Sequence, residues 1–243
     1  MSREDADMEL PRKRIRVACL SPEQLDRMYA LMKDYYENVD RLVFESDLKE
    51  KDWVLVINDD NSDRIVGFST QVLFHMEFLG ENIQILFSGD TIISKDHWGS
   101  MALIKAFGEL ILELIERHHG TPLYWLLISK GLRTYKYLPT CFKEFYPNWI
   151  TETPAYILNL MHHLGQIKFP QSYNRECGII EAYKGSQYLK KEFHPVPNSM
   201  KPYESFFYKV NPGYIKGDEL LCLAKLCIDN IQPFILKVLT SRK

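Results

Sequence analysis

The hydrophobic and polar positions change period along the chain, and the changes outline its elements. Arg14-Ile15-Arg16-Val17-Ala18-Cys19-Leu20 alternates and predicts a strand. Ser21-Pro22-Glu23 reads as a helix start, and Leu25, Met28, Tyr29, Leu31, Met32 and Tyr35 then recur at helical spacing. A more polar helix is expected over about 40–51. The runs 53–57, 65–74 and 83–93 are β-branched and aromatic, with turn residues at 58–63 and 79–82, which predicts two hairpins. After 95–100 the period becomes helical to about 118. Lys105, Glu109, Glu113 and Glu116 form one polar stripe there, so this helix should be buried round most of its circumference. The run 123–128 is apolar on both faces, as expected of a central strand parallel to the strand before the helix. An aromatic-rich helix over 132–145, interrupted at Pro139, and a helix over 154–167 follow. The stretch 168–203 is irregular, with Pro170, Pro195, Pro197 and Pro202. The chain closes with an expected hairpin of 206–210 and 219–224 and an amphipathic helix over 228–240.

Composition narrows the class. The 243 residues are 46% hydrophobic and 26% charged, a globular balance, and the net charge of −2 argues against nucleic-acid binding by bulk charge. No apolar run reaches the roughly 18 residues of a membrane span. The polar start lacks a secretory pattern, so 1–11 is expected to be a flexible tail and 12–243 the folded domain. Cys19, Cys141, Cys177, Cys222 and Cys227 are scattered without paired spacing, which suits a reduced, cytoplasmic chain and excludes a disulfide scaffold or zinc ribbon. His118-His119 and His162-His163 are adjacent, so on a helix their side chains diverge and no metal site is expected.

The element order is strand, two helices, three antiparallel strands, helix, strand, helix and a late hairpin. This order resembles the GNAT superfamily of acyltransferases over about residues 13–147, with 206–224 in the place of the last two strands. The resemblance implies a single α/β domain with a mixed, mostly antiparallel sheet, helices on both faces and a C-terminal extension. It also implies an acyl-thioester donor, acyl-CoA or acyl-carrier protein. The donor pyrophosphate would rest on backbone N–H groups at the start of the helix after the fourth strand. The counterpart of the family's Gln/Arg-x-x-Gly-x-Gly/Ala loop is His97-Trp98-Gly99-Ser100-Met101-Ala102, with His for Gln/Arg and Ser for the middle Gly. Ile92 and Ile93, on the strand before it, stand where family members polarise the thioester carbonyl. Ser129 opens the next helix, and the fork of Arg133 suits phosphate oxygens, although a plain surface charge fits equally. Tyr137, or Tyr135, stands near the family's Tyr that protonates the leaving thiolate, with aromatic core packing as the alternative.

Asp90 sits in an otherwise apolar strand, and Gly89 beside it suggests a bulge. In the resemblance this strand often carries the general base; a structural carboxylate satisfying the bulge is the other reading. His75 and Glu77 compete on the neighbouring strand, Glu219 is a weaker candidate, and Asp218 is explained by a turn. The implied reaction is acyl transfer to an amine of a small molecule or peptide. The apolar excess over 103–115, 135–146 and 154–164 points to a medium or long acyl chain, or equally to a structural cap. The basic clusters Arg12-Lys13-Arg14 and Lys190-Lys191 are surface, or meet an acidic carrier protein. A non-catalytic GNAT-like binding module is the rival, favoured by the degenerate loop.

Overall fold

Ser21 accepts a hydrogen bond from the Gln24 N–H at 3.2 Å, and the Gln24 side chain accepts from the Ser21 N–H at 2.9 Å. This capping box starts α1 (Pro22–Tyr35). The computed structural model describes residues 10–118, 120–194 and 201–240. β1 (Arg12–Arg16) precedes α1; β2 (Tyr36–Glu37), α2 (Arg41–Lys49), β3 (Trp53–Asn58), β4 (Ile65–Phe78) and β5 (Glu81–Ile93) follow it. Next come α3 (Ala102–Arg117), β6 (Leu123–Ser129), α4 (Leu132–Tyr135), α5 (Tyr137–Cys141) and α6 (Ala155–Lys168). The chain ends in β7 (Tyr173–Asn174), β8 (Ile179–Ile180), β9 (Tyr188–Leu189), α7 (Pro202–Val210), β10 (Glu219–Lys225) and α8 (Pro233–Thr240).

The eight-stranded sheet has the order β1-β3-β4-β5-β6-β10-β8-β7. All its pairings are antiparallel except β5 with β6, the parallel pair joined by α3 as the period change predicts. Alternate residues of β3 face opposite layers. Val54 and Val56 pack with Met28, Leu31 and Phe44 under α1 and α2, whereas Leu55 and Ile57 pack with Leu103, Leu110 and Leu114 of α3. α6 covers Ile83, Ile85 and Leu126 with Leu160 and Leu164, so helices close both faces. Arg12 and Arg14 reach across to Glu109 and Glu113 on the polar stripe of α3, and Lys13 pairs with Asp63. The first basic cluster is therefore engaged within the chain. Leu10, within the expected tail, is buried; residues 1–9 lie outside the described residues.

The C-terminal third departs from the expected elements. Residues 206–210 form part of α7 rather than a strand. Pro202 at its first turn starts a helix, and Tyr203, Phe206, Phe207 and Val210 recur at helical spacing against the core. β10 therefore pairs with β6 and β8 instead of with 206–210. The 132–145 helix is two short pieces. The chain is extended from Phe142, which bridges to Ile231, and Tyr146 bridges to Leu223. The last helix begins only at Pro233. Strands after Pro147 share the sheet with those before it. Pro195 and Pro197 lie outside the described residues, as does His119. Among the described residues no helix is long and apolar enough to cross a membrane.

Candidate active site

The site starts from an irregularity in β5. Ser69 pairs with Thr91 and Gln71 with Ser88, so Gly89 and Asp90 together oppose Thr70 in a bulge. A Cβ at Gly89 would lie 2.7 Å from Thr70 Oγ1 and 2.9 Å from Lys51 Cε, so only glycine fits. A chain of side-chain hydrogen bonds supports the bulge. Trp125 Nε1 donates to Ser88 Oγ at 2.8 Å, and Ser88 Oγ donates to Gln71 Oε1 at 2.7 Å. Gln71 Nε2 donates to Ser69 Oγ at 2.7 Å, Ser69 Oγ meets Thr91 Oγ1 at 2.7 Å, and Thr91 Oγ1 donates to the Gly89 carbonyl.

The bulge turns Asp90 into a cavity, half-buried. Burial and the nearby charge of Asp47 push its carboxyl up to about 6, against the pull of Lys130 and Lys51. Among the described residues its carboxylate takes no hydrogen bond and no ion pair. A carboxylate that merely satisfied the bulge would be bonded to it.

Beyond the bulge the sheet opens. β5 and β6 pair from Gln84 with Leu123 to Ser88 with Leu127, yet β5 continues to Ile93, and β6 follows β10 to Ser129. The Ser94 N–H donates to the Val66 carbonyl. Alternation along the antiparallel ladder then turns Ile92 toward β4 and the backbone groups of Thr91 and Ile93 toward the gap. The backbone N–H groups near Ile92 that do not face β4 are therefore those of Thr91 and Ile93. The Ile93 carbonyl accepts from Trp98 Nε1 at 3.0 Å.

Two cavities meet at this gap. The first, of about 390 Å³, has Asp90, Asp40, Asp47, Glu50, Glu181 and Glu219 in its wall. The second, of about 350 Å³, is lined by Ile92, Ile93, Trp98, Gly99, Ser100, Met101, Arg133 and Tyr137. Tyr36, Thr91, Lys130 and Thr134 line both. Arg133 lies over the Trp98 ring at 3.4 Å, and Gly99 takes a φ of +94°, a glycine conformation. Ser100 Oγ is buried without a hydrogen-bond partner, and α3 begins without a side-chain cap. Tyr137 is half-buried in the wall of the second cavity. Burial pushes its phenol up to about 12, which keeps it protonated.

Other candidates fall elsewhere. Tyr135 is wholly buried and donates to the Pro147 carbonyl at 2.9 Å, a core role. Ser129 is buried against the Cys222 thiol, and Ala102 is buried at the first turn of α3. His97 bonds Ser94 Oγ at 2.8 Å, outside the cavity wall. His75 faces His118, and Glu77 pairs in the ladder near the far turn, both away from the bulge. Asp218 accepts from the Ala182 N–H, while Glu219 pairs with Lys130 at 3.1 Å inside the first cavity. Tyr36, Lys130 and Thr134 carry no sequence signal, because only the splay of β5 from β6 brings them to the gap. His162 bonds Tyr173, and His163 packs on Phe78, so that pair diverges. No metal-holding group of three or more His, Cys, Asp or Glu occurs among the described residues.

No protein-family model and no curated protein matches the chain. Solved structures do. A conserved Enterococcus faecalis protein of unknown function is similar over 52% of this chain at 13% identity and a TM-score of 0.40, and the match spans 31% of that protein. An Escherichia coli GNAT family N-acetyltransferase in complex with CoA matches over 51% of this chain and 66% of its own, at 16% identity and a TM-score of 0.37. Saccharomyces cerevisiae N-myristoyltransferase with bound myristoyl-CoA matches over 63% of this chain and 39% of its own, at 19% identity and a TM-score of 0.38.

Proposed function

We propose that this chain is an N-acyltransferase that moves an acyl group from an acyl-thioester to an amine. The observation that carries the reading is Asp90, unbonded and half-buried, held by a bulge where two cavities meet through a gap in the sheet. The donor, acyl-CoA or acyl-carrier protein, occupies the second cavity. There the uncapped start of α3, Ser100 Oγ, Lys130, Arg133 and Lys136 suit phosphate. The amine of a small molecule or peptide enters the first cavity, whose carboxylates favour a cation.

Asp90 takes the amine proton as the C–N bond forms. The N–H groups of Thr91 and Ile93 polarise the thioester carbonyl from the open strand edge. As the C–S bond breaks, Tyr137 gives its proton to the sulfur and regains one from solvent. The five cysteines are free thiols, which suits the reducing cytoplasm.

Titration calorimetry with CoA and acetyl-CoA, followed by a thiol-release assay with a polyamine and a lysine peptide, tests the reading. Binding and amine-dependent release are expected. Arg133→Ala should weaken CoA affinity about tenfold, the loss of one charge-assisted contact worth about 1.4 kcal/mol. Tyr137→Phe should lower kcat by roughly 10²-fold or more with affinity unchanged. Binding without release from any amine supports the non-catalytic module, which the His97 and Ser100 departures favour. Neither binding nor release overturns both.

A further inference from the structure

The second cavity does not end at Tyr137. Thr91, Leu103, Ile104, Thr134 and Tyr137 also line a small apolar void of about 30 Å³ behind it, running in between α3 and β6. Such a space holds about two or three non-hydrogen atoms, since one water needs roughly 10–15 Å³ of it. Its wall away from the second cavity is formed by Phe107, Trp125, Leu127, Cys141, Ser69 and Ser88, and Phe107 and Trp125 are its bulkiest members, their ring centroids 4.5 Å apart. Trp125 cannot step aside. It is buried, its Nε1 is bound to Ser88 Oγ at 2.8 Å, and Phe142 stands 5.6 Å behind it.

Much of the apolar excess that suggested a longer acyl chain packs in the cores, while Leu103, Ile104, Phe107 and Tyr137 line the void. Leu110, Leu114, Leu138, Phe142, Phe145, Leu160 and Leu164 are all buried in the cores. We propose that Phe107, backed by Trp125, is the acyl-length stop, and that the donor carries a two- or three-carbon acyl group. This rests on the acyl-transfer reading and specifies the acyl subsite of the same cleft. Phe107 is only half-buried, so shortening it opens the void outward along α3, whereas Trp125 is buried and held by Ser88 and Phe142.

The test measures kcat/KM for acetyl-, propionyl-, octanoyl- and palmitoyl-CoA with the wild type, Phe107→Ala and the milder Phe107→Leu, with CoA affinity by calorimetry. The wild type should favour acetyl or propionyl over octanoyl by about tenfold or more, the discrimination a closed apolar pocket achieves. Phe107→Ala should shift that ratio toward octanoyl by about tenfold, and Phe107→Leu by less, with CoA affinity unchanged. Wild-type turnover of octanoyl- or palmitoyl-CoA equal to acetyl-CoA overturns the stop, as does an unchanged ratio in both variants. If CoA binds and amine-dependent release is seen at every chain length alike, only the stop falls. If no CoA binds and no thiol is released, the acyl-transfer reading falls with it.

Discussion

Replacing Asp90 by Asn is expected to lower kcat by about 10²- to 10⁴-fold and to leave CoA affinity unchanged, because the amide keeps the shape and cannot take a proton. The proposed base works ionised, so wild-type turnover should rise with pH through about 6 and then level, and the acid limb should disappear with the variant. Stability moves the other way. The folded carboxyl titrates near 6 and the unfolded one near 3.8, so the folded state binds more protons between those values. Stability therefore falls as pH rises across that window. Asp90→Asn removes this dependence, so its thermal midpoint exceeds the wild type's at pH 7 and the difference closes below about pH 4. A carboxylate that held the bulge together would give the reverse, a variant less stable at neutral pH. Activity-pH profiles and melting curves of the two proteins separate these roles.

Gln71→Leu is expected to cost about 2–4 kcal/mol of stability and to reduce turnover besides. Gln71 is fully buried and is the only link in the Trp125–Thr91 chain that both donates to one hydroxyl and accepts from another. Leucine strands the Ser88 O–H and removes the donor to Ser69, and each buried unpaired group costs about 1–3 kcal/mol. The bulge then loses its support from Thr91, and Asp90 shifts. A misplacement of about 1 Å at a reacting group can cost roughly 10²-fold in rate. Thr70→Val is the contrast: its buried hydroxyl has no partner, so the substitution should not destabilise and is expected to raise stability by about 1–3 kcal/mol. Urea denaturation of both variants checks the difference. A Gln71→Leu midpoint equal to the wild type's would show that the chain of hydrogen bonds carries no weight.

Short-range signals made much of this protein legible from its sequence. Ser21 and Gln24 close their box within one turn, and Asp40 caps α2 by accepting from Val43 at 2.9 Å. The hairpins of β3, β4 and β5, the buried face of α3 and the parallel β6 follow from periods of 2 and 3.6. Asp90 beside Gly89 announced its bulge, because a glycine and a carboxylate are both out of place in an apolar strand. Tertiary structure alone decided the rest. The run 206–210 is apolar enough for a strand or a helix, and packing of Phe207 on Tyr135, with ring centroids 5.5 Å apart, selects the helix. Tyr36 and Lys130 share a cleft only because β6 leaves β5 to follow β10. Whether aromatic residues line an open acyl tunnel or fill a core depends on which rings meet. Phe107 meets Trp125 through the way α3 lies on the sheet, and the identities and spacing of residues along the chain do not specify that contact.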